Sequence, residues 1–119
     1  MRIIGNGGHA KVIRDLPPGE GTVVAIGDNA TRKRVVEEQQ EQQEQKGSGP
    51  FTTFATLVHP TAWVSPSAVI GAGTVVMAGA IVQARAVIGA HCIINTGASV
   101  DHDCVLADFV HISPGAHLG

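Results

Sequence analysis

AVIGAGTVVMAGAIVQARAVIGA, residues 68–90, repeats its own pattern every six positions. Aliphatic residues fall at Ile70, Val76, Val82 and Ile88, and two places before them stand Ala68, Thr74, Ala80 and Ala86. Outward from this stretch the phase holds in both directions. The aliphatic series begins at Val58 and Val64 and continues through Ile94, Val100, Leu106 and Ile112 to Leu118. The small or β-branched series begins at Ala62 and continues through Cys92, Ala98, Cys104 and Val110 to Ala116. Residues two apart on a strand point the same way, so each small–x–aliphatic triplet sends two side chains inward. The three remaining positions turn a corner, where Gly71, Gly73, Gly79, Gly89, Gly97 and Gly115 are expected to relieve the backbone. Three such sides close a triangular coil of roughly 18 residues, and each coil buries its apolar face only by stacking on its neighbours.

The middle residue of each triplet points outward. A period of roughly 18 residues sorts these residues onto three faces. One carries Val69, Val87 and Val105, a second Val75, Ile93 and His111, and the third Trp63, Ile81, Ser99 and His117. Bare aliphatic stripes are unusual on a soluble monomer, so at least one face is expected to pack against another subunit. Composition agrees with a narrow β-structure: 44% of residues are hydrophobic but only 3% aromatic, so the core is built from Val, Ile and Ala. A net charge of −2 gives no strong pull toward nucleic acid or a membrane surface. No run approaches the roughly 20 apolar residues of a membrane span, and the N-terminal apolar run is too short for a signal peptide, so a cytoplasmic protein is the expectation. Cys92 and Cys104 lack the CxxC spacing and are read as small buried thiols.

Residues 1–57 read differently and are expected to form a small Rossmann-like β-α-β-α-β domain ahead of a β-helix domain over 58–119. Arg2-Ile3-Ile4 suggests a strand, Lys11 to Leu16 a helix stopped by Pro17-Pro18, and Thr22 to Ile26 a second strand. Residues 30–46, rich in Arg, Glu and Gln, suggest a solvated helix. Lys46 to Pro50 suggests a turn, and Phe51 to Leu57 a third strand. Between the first strand and helix lies Gly5-Asn6-Gly7-Gly8-His9-Ala10, a G-x-G-x-x-A turn that lets backbone approach a ligand phosphate. Asp28 closes the second strand, where a carboxylate can reach a sugar or base. Half a dinucleotide-binding unit argues against NAD and leaves room for a mononucleotide or nucleotide-sugar.

One corner stands out in "NTGASVDHDC", residues 95–104. Its hexad position holds Pro60, Pro66, Ala72, Ala78, Ala84, Ala90, Thr96 and Pro114 elsewhere, with Asp108 the other charged occupant. His102 there breaks the lattice without serving its packing. A histidine titrating near neutrality suits proton removal from an attacking amine, and adjacent Asp103 raises its pKa and fixes its tautomer.

The segments IIGNGGHAKV (3–12), VVAIGDNATRK (23–33), ATLVHPTAWVSPSAVIGAGTVVMAGAIV (55–82) and INTGASVDHDCVLADFVHISPGAHL (94–118) resemble, in order, the bacterial nucleotide-sugar acetyltransferases of the sialic-acid O-acetyltransferase and bacillosamine N-acetyltransferase type. The resemblance implies a mainly β fold, a left-handed parallel β-helix of hexapeptide repeats, assembled as a homotrimer. It implies transfer of an acetyl group from acetyl-CoA to an amine or hydroxyl of a nucleotide-linked sugar, with no metal. By resemblance His102 is the general base and Asp103 its orienting acid. Asn95 lies at the sugar, His111 near the thioester, and Gly7, Gly8, His9 and Asp28 at the nucleotide end. Relatives continue for several coils beyond "PGAHLG", so the expectation is a C-terminally truncated member, fragment or natural. A truncated, non-catalytic trimer that keeps nucleotide-sugar binding is the alternative. A zinc hydratase on the same coil is a third reading, which the spacing of His102, His111 and His117 does not reproduce.

Overall fold

A computed structural model of the chain describes residues 2–14, 21–46 and 54–119. The first part is a parallel crossover. β1 (Arg2–Ile4) leads through the glycine turn into α1 (Gly8–Arg14), and β2 (Thr22–Val24) returns beside β1 with Ile3 opposite Val23. α2 (Asn29–Lys46) follows. α1 therefore starts three residues earlier than Lys11, at the glycine turn itself. Pro17-Pro18, the turn at 47–50 and residues 51–53 lie outside the described residues. Of the third strand, the described residues show a parallel bridge between Thr22 and Phe54.

α2 departs from the expectation of a wholly solvated helix. Its glutamates at 37, 38 and 41 are exposed, but Arg32 and Val36 are 2% and 1% exposed. These two are four residues apart and so share one helix face. Among the described residues no helix is long and apolar enough to cross a membrane.

Two-residue strands then recur at the interval set by the repeat: β3 (Leu57–Val58), β4 (Trp63–Val64), β5 (Val69–Ile70), β6 (Val75–Val76), β7 (Ile81–Val82), β8 (Val87–Ile88), β9 (Ile93–Ile94), β10 (Ser99–Val100), β11 (Val105–Leu106), β12 (His111–Ile112) and β13 (His117–Leu118). Every pairing is parallel and joins residues one coil apart: Leu57 with Val75, Trp63 with Ile81, Val69 with Val87. The result is three sheets, β3-β6-β9-β12, β4-β7-β10-β13 and β5-β8-β11, which are the three sides of a parallel β-helix. The interior is the small and aliphatic series: Val76, Ala80, Val82, Ala86, Ile88, Cys92, Ile94, Ala98 and Val100 are each at most 1% exposed. Cys92 is buried, its thiol held 3.2 Å from the Ala107 carbonyl and pushed up in pKa by burial; Cys104 is half-buried, and both are free.

The face carrying Leu57, Val75 and Ile93 is covered by the chain itself. Leu57, Val75 and Met77 form one buried cluster with Ala10, Ile13, Val23, Ala25 and Ala55. Burying a side chain of this kind stabilises by about 1.5–3 kcal/mol, enough to dock the N-terminal part onto the coil. The other two faces stay open. Val69, Val87 and Val105 are 58%, 40% and 75% exposed, and Trp63 and Ile81 are 52% and 39% exposed.

From Gly73 onward each corner is turned by one residue of left-handed conformation, and these recur at 73, 79, 85, 91, 97, 103, 109 and 115. Gly71 and Gly89 are not among them. Their role is close stacking: a Cβ on Gly71 would lie 2.5 Å from the Gly89 carbonyl carbon, and one on Gly89 2.5 Å from Asp108. Asp108 in turn accepts the Ala90 N–H at 2.8 Å, which accounts for a charge at that corner.

Candidate active site

His102 lies on the corner between the Trp63 and Val69 faces. The residue after it, Asp103, takes the left-handed φ of 61°, which aspartate tolerates better than most residues. Asp103 Oδ2 sits 2.9 Å from His102 Nδ1, and its other oxygen is 3.3 Å from Nε of Arg85, one coil below. The carboxylate accepts a hydrogen bond from Nδ1–H, which leaves Nε2 as the basic nitrogen of the neutral ring. The hydrogen bond that His102 donates to Asp103, with the charge of Asp101 behind it, raises the His102 pKa above its ordinary 6.5, and the same bond lowers that of Asp103. Nothing on the coil packs over this pair: His102 and Asp103 side chains are 69% and 52% exposed.

A second group assembles around the covered face. The carboxyl ends of β1 and β2 open into a concavity of ≈ 390 Å³ lined by Gly5, Asn6, Gly7, Gly8, His9, Ala25, Ile26 and Gly27. Ligands favour this place in parallel αβ sheets. Gly5 permits it by close approach, since a Cβ there would lie 2.6 Å from the Ala25 carbonyl oxygen. His9 Nε2 is buried without a hydrogen-bond partner among the described residues. Burial foremost, then the neighbouring His111 and Arg32, push the His9 pKa down to about 4, so the ring is neutral at physiological pH.

Asn95 and His111 adjoin this group. Asn95 Oδ1 accepts the Thr96 N–H at 2.8 Å, which turns its amide nitrogen toward His111 Nε2 at 3.1 Å. His111 also bonds the backbone of Gly27; burial and then Arg32 lower its pKa. A neutral ring that accepts from Asn95 at Nε2 carries its own proton on Nδ1. Asp28 acts locally as the cap of α2, accepting the Thr31 N–H at 2.8 Å; the Thr31 side chain first and then this N–H lower its pKa.

The structure thus brings Gly7, Gly8, His9, Asn95 and His111 into one neighbourhood, with Asp28 at its margin. It leaves His102 and Asp103 on another corner of the same chain. Arg32 escaped the sequence reading because it stands in a run of charged residues. Its spacing from Val36 was the available signal. His91 is a left-handed turn residue that also packs: its ring stacks on Phe109 at 5.3 Å and meets Phe54 edge-on at 4.6 Å. Among the described residues no three His, Cys, Asp or Glu converge on a metal position.

No protein-family model and no curated protein sequence matches the chain. Solved structures do. The acetyltransferase domain of PglB from Neisseria gonorrhoeae superposes with a TM-score of 0.82 at 36% identity, over 99% of this chain and 72% of that one. The same domain in complex with acetyl coenzyme A gives 0.81 at 37% identity. The chain belongs to the bacterial sugar N-acetyltransferases. PerB from Caulobacter crescentus, in complex with CoA and GDP-perosamine, gives 0.81 at 31% identity, over 97% of this chain and 69% of that one. These acetyltransferases share the hexapeptide β-helix seen here.

Proposed function

We propose that this acetyltransferase transfers the acetyl group of acetyl-CoA to an amine of a nucleotide-linked sugar, with His102 as general base. The observation that carries the reading is the His102–Asp103 pair, an imidazole with one nitrogen fixed by a carboxylate and the other free, on a corner with no packing role. The sugar nitrogen attacks the thioester carbonyl, and a C–N bond forms as the C–S bond breaks. His102 Nε2 takes the proton that nitrogen must lose and returns it to the departing thiolate, while Asp103 stabilises the imidazolium. Such a positioned base contributes about 10²–10⁴-fold.

The concavity at Gly7, Gly8 and His9 is the seat of the nucleotide, with Asn95 toward the sugar and His111, bonded to Asn95, toward the thioester. Its size lies within the usual range of small-molecule sites. Because the base and this pocket lie on different sides of one chain, the complete site requires a second copy. The uncovered Val69 and Trp63 faces supply the apolar surface for a homotrimer, in which His102 of one copy meets the pocket of the next. Thiol release from acetyl-CoA in the presence of UDP-, dTDP- or GDP-amino sugars tests the activity. A folded, associated protein that releases no thiol with any of them would refute it.

A further inference from the structure

Arg32 has no part in the chemistry above, yet it is among the most deeply buried side chains. A guanidinium carries five N–H groups, and here all find acceptors. Nε donates to the His91 carbonyl at 2.8 Å. Nη1 donates to the carbonyls of Ile26 at 3.0 Å and Gly27 at 3.2 Å. Nη2 donates to Asn29 Oδ1 at 2.7 Å and the Phe109 carbonyl at 3.0 Å. Among the described residues no carboxylate lies within ion-pair distance of it.

A buried cation with no counter-ion is costly, and an aliphatic side chain would pack α2 against the coil at lower cost. What an aliphatic residue cannot do is join two groups of carbonyls. Ile26 and Gly27 line the pocket and Asn29 opens α2 just after them; His91 and Phe109 are left-handed corner residues one coil apart. The planar fork grips both at once, which a lysine cannot reproduce. Gly27 is the point of convergence, since its backbone bonds both Arg32 and His111.

We propose that Arg32 is the positioning residue of the nucleotide-sugar subsite, tying the Ile26–Asn29 turn to two coil corners so that Gly27 and His111 hold one arrangement toward the acceptor. The proposal rests on the reading of that pocket as the nucleotide-sugar subsite. Arg32→Lys keeps the charge and loses the fork. The KM for the nucleotide-sugar is expected to rise about tenfold or more, as a misplaced binding group does, with the KM for acetyl-CoA unchanged within about twofold. Asn29→Ala, an exposed change that removes one acceptor, raises the same KM less and cannot abolish folding. Nitrogen NMR of the His111 ring gives a readout independent of turnover: one tautomer in the parent protein, mixed tautomers in Arg32→Lys. A lowered melting temperature with that tautomer and both KM values preserved would make Arg32 a structural clamp only and overturn the proposal. Parent protein that binds no nucleoside-diphosphate sugar by calorimetry refutes the pocket assignment instead, whatever the ring signal shows.

Discussion

Gly73→Ala is expected to be far more damaging than the same change at another left-handed corner, and the difference can be worked from contacts. Gly73 has φ +77°, and a Cβ there would overlap Nδ1 of His91 and lie 2.5 Å from its Cε1. Gly97 has φ +68° with nothing within 4 Å of its Cβ position. At Gly97 an alanine meets only left-handed strain, about 1–2 kcal/mol, less the roughly 0.4–1 kcal/mol gained by restricting the unfolded chain. At Gly73 overpacking adds about 1–3 kcal/mol, because the imidazole is wedged between Phe54 and Phe109 and has no free direction. The pair should therefore differ by about 2 kcal/mol. For a chain of this size that is roughly 8 °C in melting temperature, at about 4 °C per kcal/mol. Thermal and urea melts run at one protein concentration measure it, since association also shifts the midpoint. The displaced ring belongs to the residue whose backbone carbonyl Arg32 Nε grips, so Gly73→Ala should also raise the nucleotide-sugar KM while Gly97→Ala leaves it alone. Equal melting temperatures for the two variants would refute the packing account.

Three further outcomes follow from the same geometry. His102→Ala should lower kcat by about 10²–10⁴-fold with no loss of fold or association, and a variant retaining parental turnover would sink the base assignment. The raised His102 pKa means the unprotonated base appears only as pH climbs past 6.5, so turnover rises with pH there; Asp103→Asn removes the largest cause of the shift and should move that limb to lower pH, read from kcat/KM against pH. Val105→Lys places a charge on an open face that a folded single chain tolerates within about 0.5 kcal/mol, so light scattering should show smaller particles and the thiol assay a loss of turnover.

The coil was legible because its signal is redundant: an aliphatic residue at every sixth position fixes strand, face and corner together, and each strand found lies on that phase. What covers each face was not, because outward residues look alike until something packs on them. Val75 and Val69 occupy equivalent repeat positions, yet one is 1% exposed beneath the N-terminal part and the other 58%. The corner glycines were half legible. A strand–turn repeat asks for glycine both where φ is positive and where backbones nearly touch, and sequence does not separate Gly73 from Gly71. His102 was visible as a break in the lattice, whereas Arg32 was hidden among charges that do face solvent. His91 is a turn residue by its place in the repeat, but its packing was hidden, because Phe54 and Phe109 are not adjacent to it in sequence.

The left-handed corners make a map of another kind. Between the Leu57 and Trp63 faces they are Gly79, Gly97 and Gly115 throughout. Elsewhere four are occupied by side chains, Arg85, His91, Asp103 and Phe109, and each is tied to a named interaction: Arg85 with Asp103, Asp103 with His102, His91 and Phe109 with Arg32. Glycine at any of these corners would relax the backbone by about 1 kcal/mol. Selection for heat resistance alone would therefore drift toward glycine at 85 and 103 and dismantle the corner proposed to be catalytic, setting stability against the proposed activity at single residues.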